Sequence, residues 1–240
     1  MNTEDDRYFA AVAESYDRLQ PVLSPPYEKG LEMIVDLIPF DPEETFKLVD
    51  LGCGTAEPAL RVLQHFPQAT GICIDSEPEM LSMARRKLAG LAGRAEVLPG
   101  DMTRCQIPGC DVVLSAKAVH HVPPDHLSAL FAKVRGALRP GGCFILFDAM
   151  SLGPAWGPVA RLQASRFRQR HVQRAIDSGI ATREEIELRQ DYKRRMKAAG
   201  RDVEYEHDAE GLIRRMEEAG FDEVSVAWRM FADTILVAFS

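Results

Sequence analysis

One segment governs what this chain can fold into: Leu48-Val49-Asp50-Leu51-Gly52-Cys53-Gly54-Thr55-Ala56-Glu57. An apolar strand runs straight into a two-glycine turn, and the helix-like segment Ala59 to Phe66 comes next. Glycines at 52 and 54 let the backbone turn sharply and let a ligand press against main-chain N–H groups with no Cβ in the way. Such a strand, turn and helix belong at the first strand of a nucleotide-type cofactor site in an open α/β sheet. GxG alone is a weak signal, so the weight falls on the next strand of the chain.

That second strand ends in an acid. Thr70-Gly71-Ile72-Cys73-Ile74 leads to Asp75, about 20 residues past the glycines, where a carboxylate accepts hydrogen bonds from ribose hydroxyls. A dinucleotide fingerprint needs a further glycine where the helix packs beside the pyrophosphate. Here that place is Glu57, an anion that would repel a pyrophosphate at the helix N-terminus. A cofactor with no phosphate and a positive centre fits better, and S-adenosylmethionine is such a cofactor.

The chain has 240 residues, 46% of them hydrophobic, enough to bury a full core as one domain with an elaboration. Met1 to Asp6 is polar and acidic, and no apolar stretch approaches the ~20 residues that span a bilayer. A cytoplasmic protein without membrane partners is expected, and the odd count of five cysteines agrees with reduced thiols. No His or Cys spacing completes a metal site. A net charge of −7 makes the chain a poor partner for nucleic acid. The charge is uneven: residues 151–199 carry +6 and the remainder −13.

Strands are expected at Lys47–Leu51, Thr70–Asp75, Ala95–Pro99, Asp111–Ala116, Cys143–Asp148, Glu223–Arg229 and Thr234–Phe239. Helical spacing separates the first five: Leu81, Ala84, Leu88 and Leu91 share one face, and Leu127, Leu130, Phe131, Val134 and Leu138 another. Arg139-Pro140-Gly141-Gly142 reads as a stop-and-turn. Phe9, Val12, Ala13, Tyr16 and Leu19 recur at helix spacing near the start. The expected fold is a doubly wound, seven-stranded, mostly parallel α/β sheet. Its last strand is antiparallel, because the link Met230 to Asp233 is too short for a crossover. Residues 1–40 are expected to cover the site, 45–150 to bind the cofactor, 151–208 to form a helical lid, and 209–240 to supply the final helix and two strands.

These features together resemble the class I S-adenosylmethionine-dependent methyltransferases of the small, free-standing type. The likeness is strong over residues 45–150 and moderate over 209–240. It implies that Asp50, Gly52, Cys53 and Gly54 wrap the methionine and ribose parts of the cofactor, and that Asp75, with Ser76 beside it, holds the ribose. Gly100-Asp101-Met102 matches the place where an Asp bonds the adenine amine and the next side chain packs on the ring. Ser115 to Val122, with Ser115 and Lys117 at the cofactor and His120 and His121 beyond, matches the stretch facing the reactive methyl. Tyr16-Asp17 resembles a segment whose helix folds over the cofactor. One departure is Ala56, where the family's loop has its third glycine.

Read from the residues alone, His120 and His121 are candidates for contact with the acceptor or for general base. On an extended segment adjacent side chains point opposite ways, so one at most would face a pocket. Arg161, Arg166 and Arg168 would hold an anionic acceptor if the basic stretch faces inward, and form a solvated surface otherwise. The expected function is methyl transfer from S-adenosylmethionine to a small metabolite, an anionic one if the basic stretch faces inward, by a monomer or homodimer. Two alternatives remain: other chemistry on S-adenosylmethionine or a carboxylated derivative, and a macromolecule-modifying or regulatory module.

Overall fold

The computed structural model describes residues 15–91, 93–151, 158–200 and 202–240. They fall into two compact units, one built from residues 29–151 and 205–240, the other from 15–28 and 158–204. Phe9, Val12 and Ala13, expected on the first helix, lie outside the described residues.

The larger unit is the sheet. Its strands are β1 (Lys47–Leu51), β2 (Thr70–Asp75), β3 (Ala95–Pro99), β4 (Cys110–Ala116), β5 (Leu138–Ala149), β6 (Glu223–Met230) and β7 (Asp233–Phe239). They lie in the order β3-β2-β1-β4-β5-β7-β6. β1 to β5 pair in parallel, and β7 runs antiparallel to both β5 and β6. Val112 to Leu114, Phe144 to Phe147 and Ile235 to Val237 are buried without alternation, as central strands covered on both faces require.

The helices of this unit are α2 (Tyr27–Asp36), α3 (Glu57–His65), α4 (Pro78–Leu88), α5 (Leu127–Ala137) and α8 (Ala209–Glu218), α2 entering it at Lys29. Leu127, Leu130, Phe131 and Val134 of α5 and Leu212 and Met216 of α8 join Val49, Leu51, Val113, Phe144 and Leu146 in one apolar cluster. Phe147 points to the other face, where a Cβ at Gly30 would collide with its ring. That glycine lets α2 lie against β5. β5 starts at Leu138, so Arg139-Pro140-Gly141-Gly142 opens a strand rather than forming a free turn. The register shifts opposite Cys110 and Val112, and a Cβ at Gly142 would stand 2.6 Å from the Asp111 carbonyl oxygen. Gly142 therefore serves a close backbone approach, while Gly141 takes a left-handed conformation (φ 81°) in open space.

The smaller unit has three helical pieces: α1, described over residues 15–23, α6 (Pro158–Asp177) and α7 (Arg183–Ala198). Leu19 and Val22 of α1 are buried with Ala175, Ala181 and Ile186. Arg18 donates to the Ile180 carbonyl at 2.7 Å and pairs with Glu185. Thr182 caps α7 in a reciprocal box with Glu185. The N-terminal helix and the 151–208 insertion, read separately in the sequence, share this core. No helix among the described residues is long and apolar enough to cross a membrane.

Candidate functional site

Three left-handed residues shape the loop after β1: Gly52 (φ 69°), Gly54 (φ 54°) and Ala56 (φ 61°). The Gly52 and Cys53 N–H groups both donate to the Ile74 carbonyl, at 2.8 and 3.1 Å, which ties the loop to β2. A Cβ at Gly52 would collide with Ala118 and with the Met102 methyl group. Gly54 differs: nothing lies within 4 Å of where its Cβ would be. One glycine permits packing, and the other leaves room for a ligand.

Three carboxylates surround this loop in different ways. Asp75, at the end of β2, accepts the Gly54 N–H at 2.8 Å and the Glu77 N–H at 2.9 Å. Lone pairs remain on both oxygens for a vicinal diol, and Ser76 next to it is exposed. Asp101 accepts the Thr103 N–H at 2.8 Å and the Thr103 hydroxyl at 2.7 Å. Partial burial pushes its carboxyl upward, but the Thr103 bonds, helped by Arg104 and Lys133, hold it below the usual range. Asp50 is fully buried, and apart from the Ala59 amide neither of its oxygens has a hydrogen-bond partner. Burial, reinforced by the Asp75 charge, pushes it up to about 8, and the Ala59 amide offsets only part of this.

Several sequence expectations change in detail. Glu57 is not a bare anion: Lys87 at 2.8 Å and Arg61 at 3.0 Å pair with it, and Lys87 also reaches the Thr55 hydroxyl at 3.0 Å. Charge repulsion from Glu57 therefore does not by itself disfavour a pyrophosphate. Ser115 is buried and donates to the Leu51 carbonyl at 2.8 Å, a bond that joins β4 to β1. Lys117 takes a left-handed conformation (φ 58°), pairs with Asp233, and lies 4.3 Å over the Phe147 ring. The buried Cys53 thiol is pushed up by its hydrogen bond with Cys73 and by burial, which keeps it neutral.

The two histidines sit on a 3₁₀ turn, Val119–His121, and not on an extended segment. Their rings therefore do not diverge: the centroids are 4.1 Å apart. His120 Nδ1 lies 2.7 Å from Asp148 Oδ1, and its backbone N–H donates to Asp148 Oδ2 at 3.0 Å. Burial raises the Asp148 carboxyl, but the His120 bond, with the charges of His120 and Lys117 and the Ala149 amide, brings it below its usual value. An ionised carboxylate only accepts, so Nδ1 carries a proton toward Asp148, and in the neutral ring Nε2 is the nitrogen with the lone pair. His121 is exposed. Asp148 was legible only as a strand end; an acid closing an apolar strand, as Asp75 also does, was the available signal.

Tyr16, Arg161, Arg166 and Arg168 belong to the smaller unit. The Arg189 guanidinium lies 4.2 Å over the Tyr16 ring. Arg161, Arg166 and Arg168 are exposed on α6. On α7, Lys193 and Lys197 pair with Glu204, and Arg194 and Arg195 with Asp191.

An open Gly54, an orphaned carboxylate at Asp50, a diol acceptor at Asp75, and a carboxylate next to a soft apolar side chain at Asp101-Met102 fit S-adenosylmethionine. Residues 48–142 match the methyltransferase domain family. The chain is 24% identical over 139 residues to a carboxy-S-adenosyl-L-methionine synthase of Campylobacter hominis, covering 58% of this chain and 59% of the relative. It is 38% identical over 109 residues to a trans-aconitate 2-methyltransferase of Deinococcus radiodurans, covering 45% of this chain and 40% of the relative. These matches span less than two thirds of the relatives' own length. An O-methyltransferase family 2 protein of Planctomyces limnophilus, solved with apigenin, has the same fold: TM-score 0.64, 19% identity, 100% of this chain and 62% of that one.

Fold and loop together define an α/β protein built to bind a sulfur nucleoside. Over residues 48–142 the chain carries a match to the methyltransferase domain, its fold is that of S-adenosylmethionine-dependent methyltransferases, and S-adenosylmethionine is the cofactor these comparisons support.

Proposed function

We propose that the protein transfers the methyl group of S-adenosylmethionine to a hydroxyl of a small molecule, with His120 as general base. The observation that carries this is the His120–Asp148 pair at 2.7 Å. When bound, the cofactor supplies an electrophilic methyl on a positively charged sulfur. A carboxylate acceptor needs only alignment and exclusion of water, but a hydroxyl must lose its proton as it attacks. His120 Nε2 takes that proton, and the imidazolium so formed is stabilised by the buried Asp148 carboxylate. An anionic acceptor would draw on Arg161, Arg166 and Arg168, which are exposed. The dyad therefore favours a neutral hydroxyl.

The similarity to carboxy-S-adenosyl-L-methionine synthases supports a second reading, chemistry on the cofactor other than methyl transfer. Methyl-labelled cofactor with a panel of phenols, aliphatic alcohols and carboxylic acids separates the two. The expected product is a labelled methyl ether that the His120→Gln variant forms far more slowly. Labelled methyl esters formed equally well by that variant, or a modified cofactor with no methylated acceptor, would overturn the proposal.

A further inference from the structure

Asp50 sits where a carboxylate has no reason to be ionised. Both oxygens are buried, and apart from the Ala59 amide they have no hydrogen-bond partner. Its register partners are Cys73 on β2 and Leu114 on β4. The groups facing it are the carboxylate of Asp75, the thiol of Cys53, which is itself bonded to the Cys73 thiol, and the amide of Ala59 on α3. Among the described residues no cation acts on it. An unpaired buried charge is costly enough that such a group keeps its proton. The same carboxyl adjoins a loop whose ligand is cationic.

We propose that Asp50 is protonated in the unliganded protein and gives up its proton when a cationic sulfur nucleoside binds, so that the loop selects its ligand by positive charge. The Oδ–H bond of Asp50 breaks, its electron pair stays on the carboxylate, and the proton passes to solvent. The new carboxylate is then compensated by the ligand's positive charge. A neutral nucleoside offers no such compensation and leaves the proton in place. This rests on the reading of the loop as an S-adenosylmethionine site, and it adds a proton-coupled selectivity to that site. The upward displacement of Asp50 to about 8 supports it.

Calorimetry in buffers of different ionisation enthalpy tests the proposal without any acceptor or turnover. S-adenosylmethionine should release about one proton per site near pH 6.5 and almost none near pH 9.5, and its affinity should rise about tenfold per pH unit below 8 and level off above. The neutral probe 5′-methylthioadenosine should bind with no proton release. Asp50→Asn, an isosteric mimic of the protonated form, should bind S-adenosylmethionine without release at either pH. The ratio of the two ligands' affinities in the wild type gives the same information with no variant at all. Release that persists in Asp50→Asn, or an affinity ratio that does not change with pH, overturns the proposal. Cofactor binding without proton release defeats this proposal alone. No binding of S-adenosylmethionine at any pH defeats it together with the proposed function.

Discussion

Asp148 grips His120 twice: Oδ2 accepts the backbone N–H at 3.0 Å, and Oδ1 lies 2.7 Å from the ring Nδ1. One carboxylate thus fixes both where the turn sits and which way the imidazole faces. Asp148→Asn keeps the volume but replaces one acceptor with a donor, so the backbone contact and the Nδ1–H tautomer cannot both survive. Turnover should fall by about 10²–10⁴-fold, as it should for His120→Gln, and the double variant should fall little further because the pair acts as a unit. Cofactor affinity measured by calorimetry should stay within about threefold, since none of these changes leaves a carboxylate at the loop unpaired. Undiminished turnover in Asp148→Asn would mean that the pair is structural.

Asp75 carries two duties. Besides offering lone pairs to a diol, it holds the Gly54 and Glu77 amides. Asp75→Ala should therefore weaken cofactor binding by roughly 1.5–3 kcal/mol and also lower stability by about 1–2 kcal/mol, because two amides lose their acceptor. Asp75→Asn keeps one carbonyl oxygen and should recover about half of the stability loss. Urea unfolding and calorimetry on the two variants read the terms separately. Full stability in Asp75→Ala would show that the loop holds its shape without this carboxylate.

Ala56 stands at φ 61° with its methyl fully buried. Two effects of similar size oppose each other in Ala56→Gly. Relief of the left-handed conformation returns about 1–2 kcal/mol. Loss of a buried methyl costs about 0.8 kcal/mol, and the freer unfolded glycine another ~0.4–1 kcal/mol. The net change in chemical denaturation should lie within about 1 kcal/mol of zero. A loss of more than about 2 kcal/mol would mean that the methyl group fills a packing role larger than its area.

Much of the sheet was legible because each strand is an apolar run bounded by turn residues, and the run from Leu48 through the glycines to Asp75 has a fixed spacing. The Asp50, Gly52, Gly54 and Asp75 group lies within 26 residues of chain, so local pattern brings it together. The His120–Asp148 contact depends on β4 and β5 pairing side by side, which periodicity does not reveal. The 3₁₀ turn under the histidines reads as extended in the sequence because three residues are too few to show a period. Arg139-Pro140-Gly141-Gly142 reads as a turn because a glycine that admits a neighbouring carbonyl has the same letter as one that reverses the chain. The packing of Leu19 against Ile186 joins elements more than a hundred residues apart, and no spacing rule reaches that far.

The cap of α7 offers a test confined to the smaller unit. Thr182 accepts the Glu185 amide at 3.2 Å, while Glu185 accepts the Thr182 amide at 2.8 Å. Glu185 is also the partner of Arg18, so the box links α1 to the start of α7. Thr182→Ala should cost about 1 kcal/mol. Hydrogen exchange should speed up in α7 and in residues 15–23 while the amides of β1, β4 and β5 keep their protection. Equal acceleration across the sheet would mean that the two units open together.

Asp50 ties the stability of the unliganded protein to pH with a definite sign. Its carboxyl is raised from 3.8 to about 8 in the folded chain, so the folded state holds a proton that the unfolded chain releases near pH 4. The stability this gives is complete below that point, declines as pH rises at a limiting slope of about 1.4 kcal/mol per unit, and is gone above about 8. Glu57 and Asp148, both lowered, act in the opposite sense at acid pH, which makes the wild-type curve alone ambiguous. The difference between wild type and Asp50→Asn removes them. The two proteins should be about equally stable at pH 4, and the variant should gain steadily up to pH 8, reaching an advantage of a few kcal/mol. Denaturant titrations at four or five pH values suffice to measure it. Parallel curves would show that Asp50 is ionised in the folded chain and that a compensating charge lies beside it.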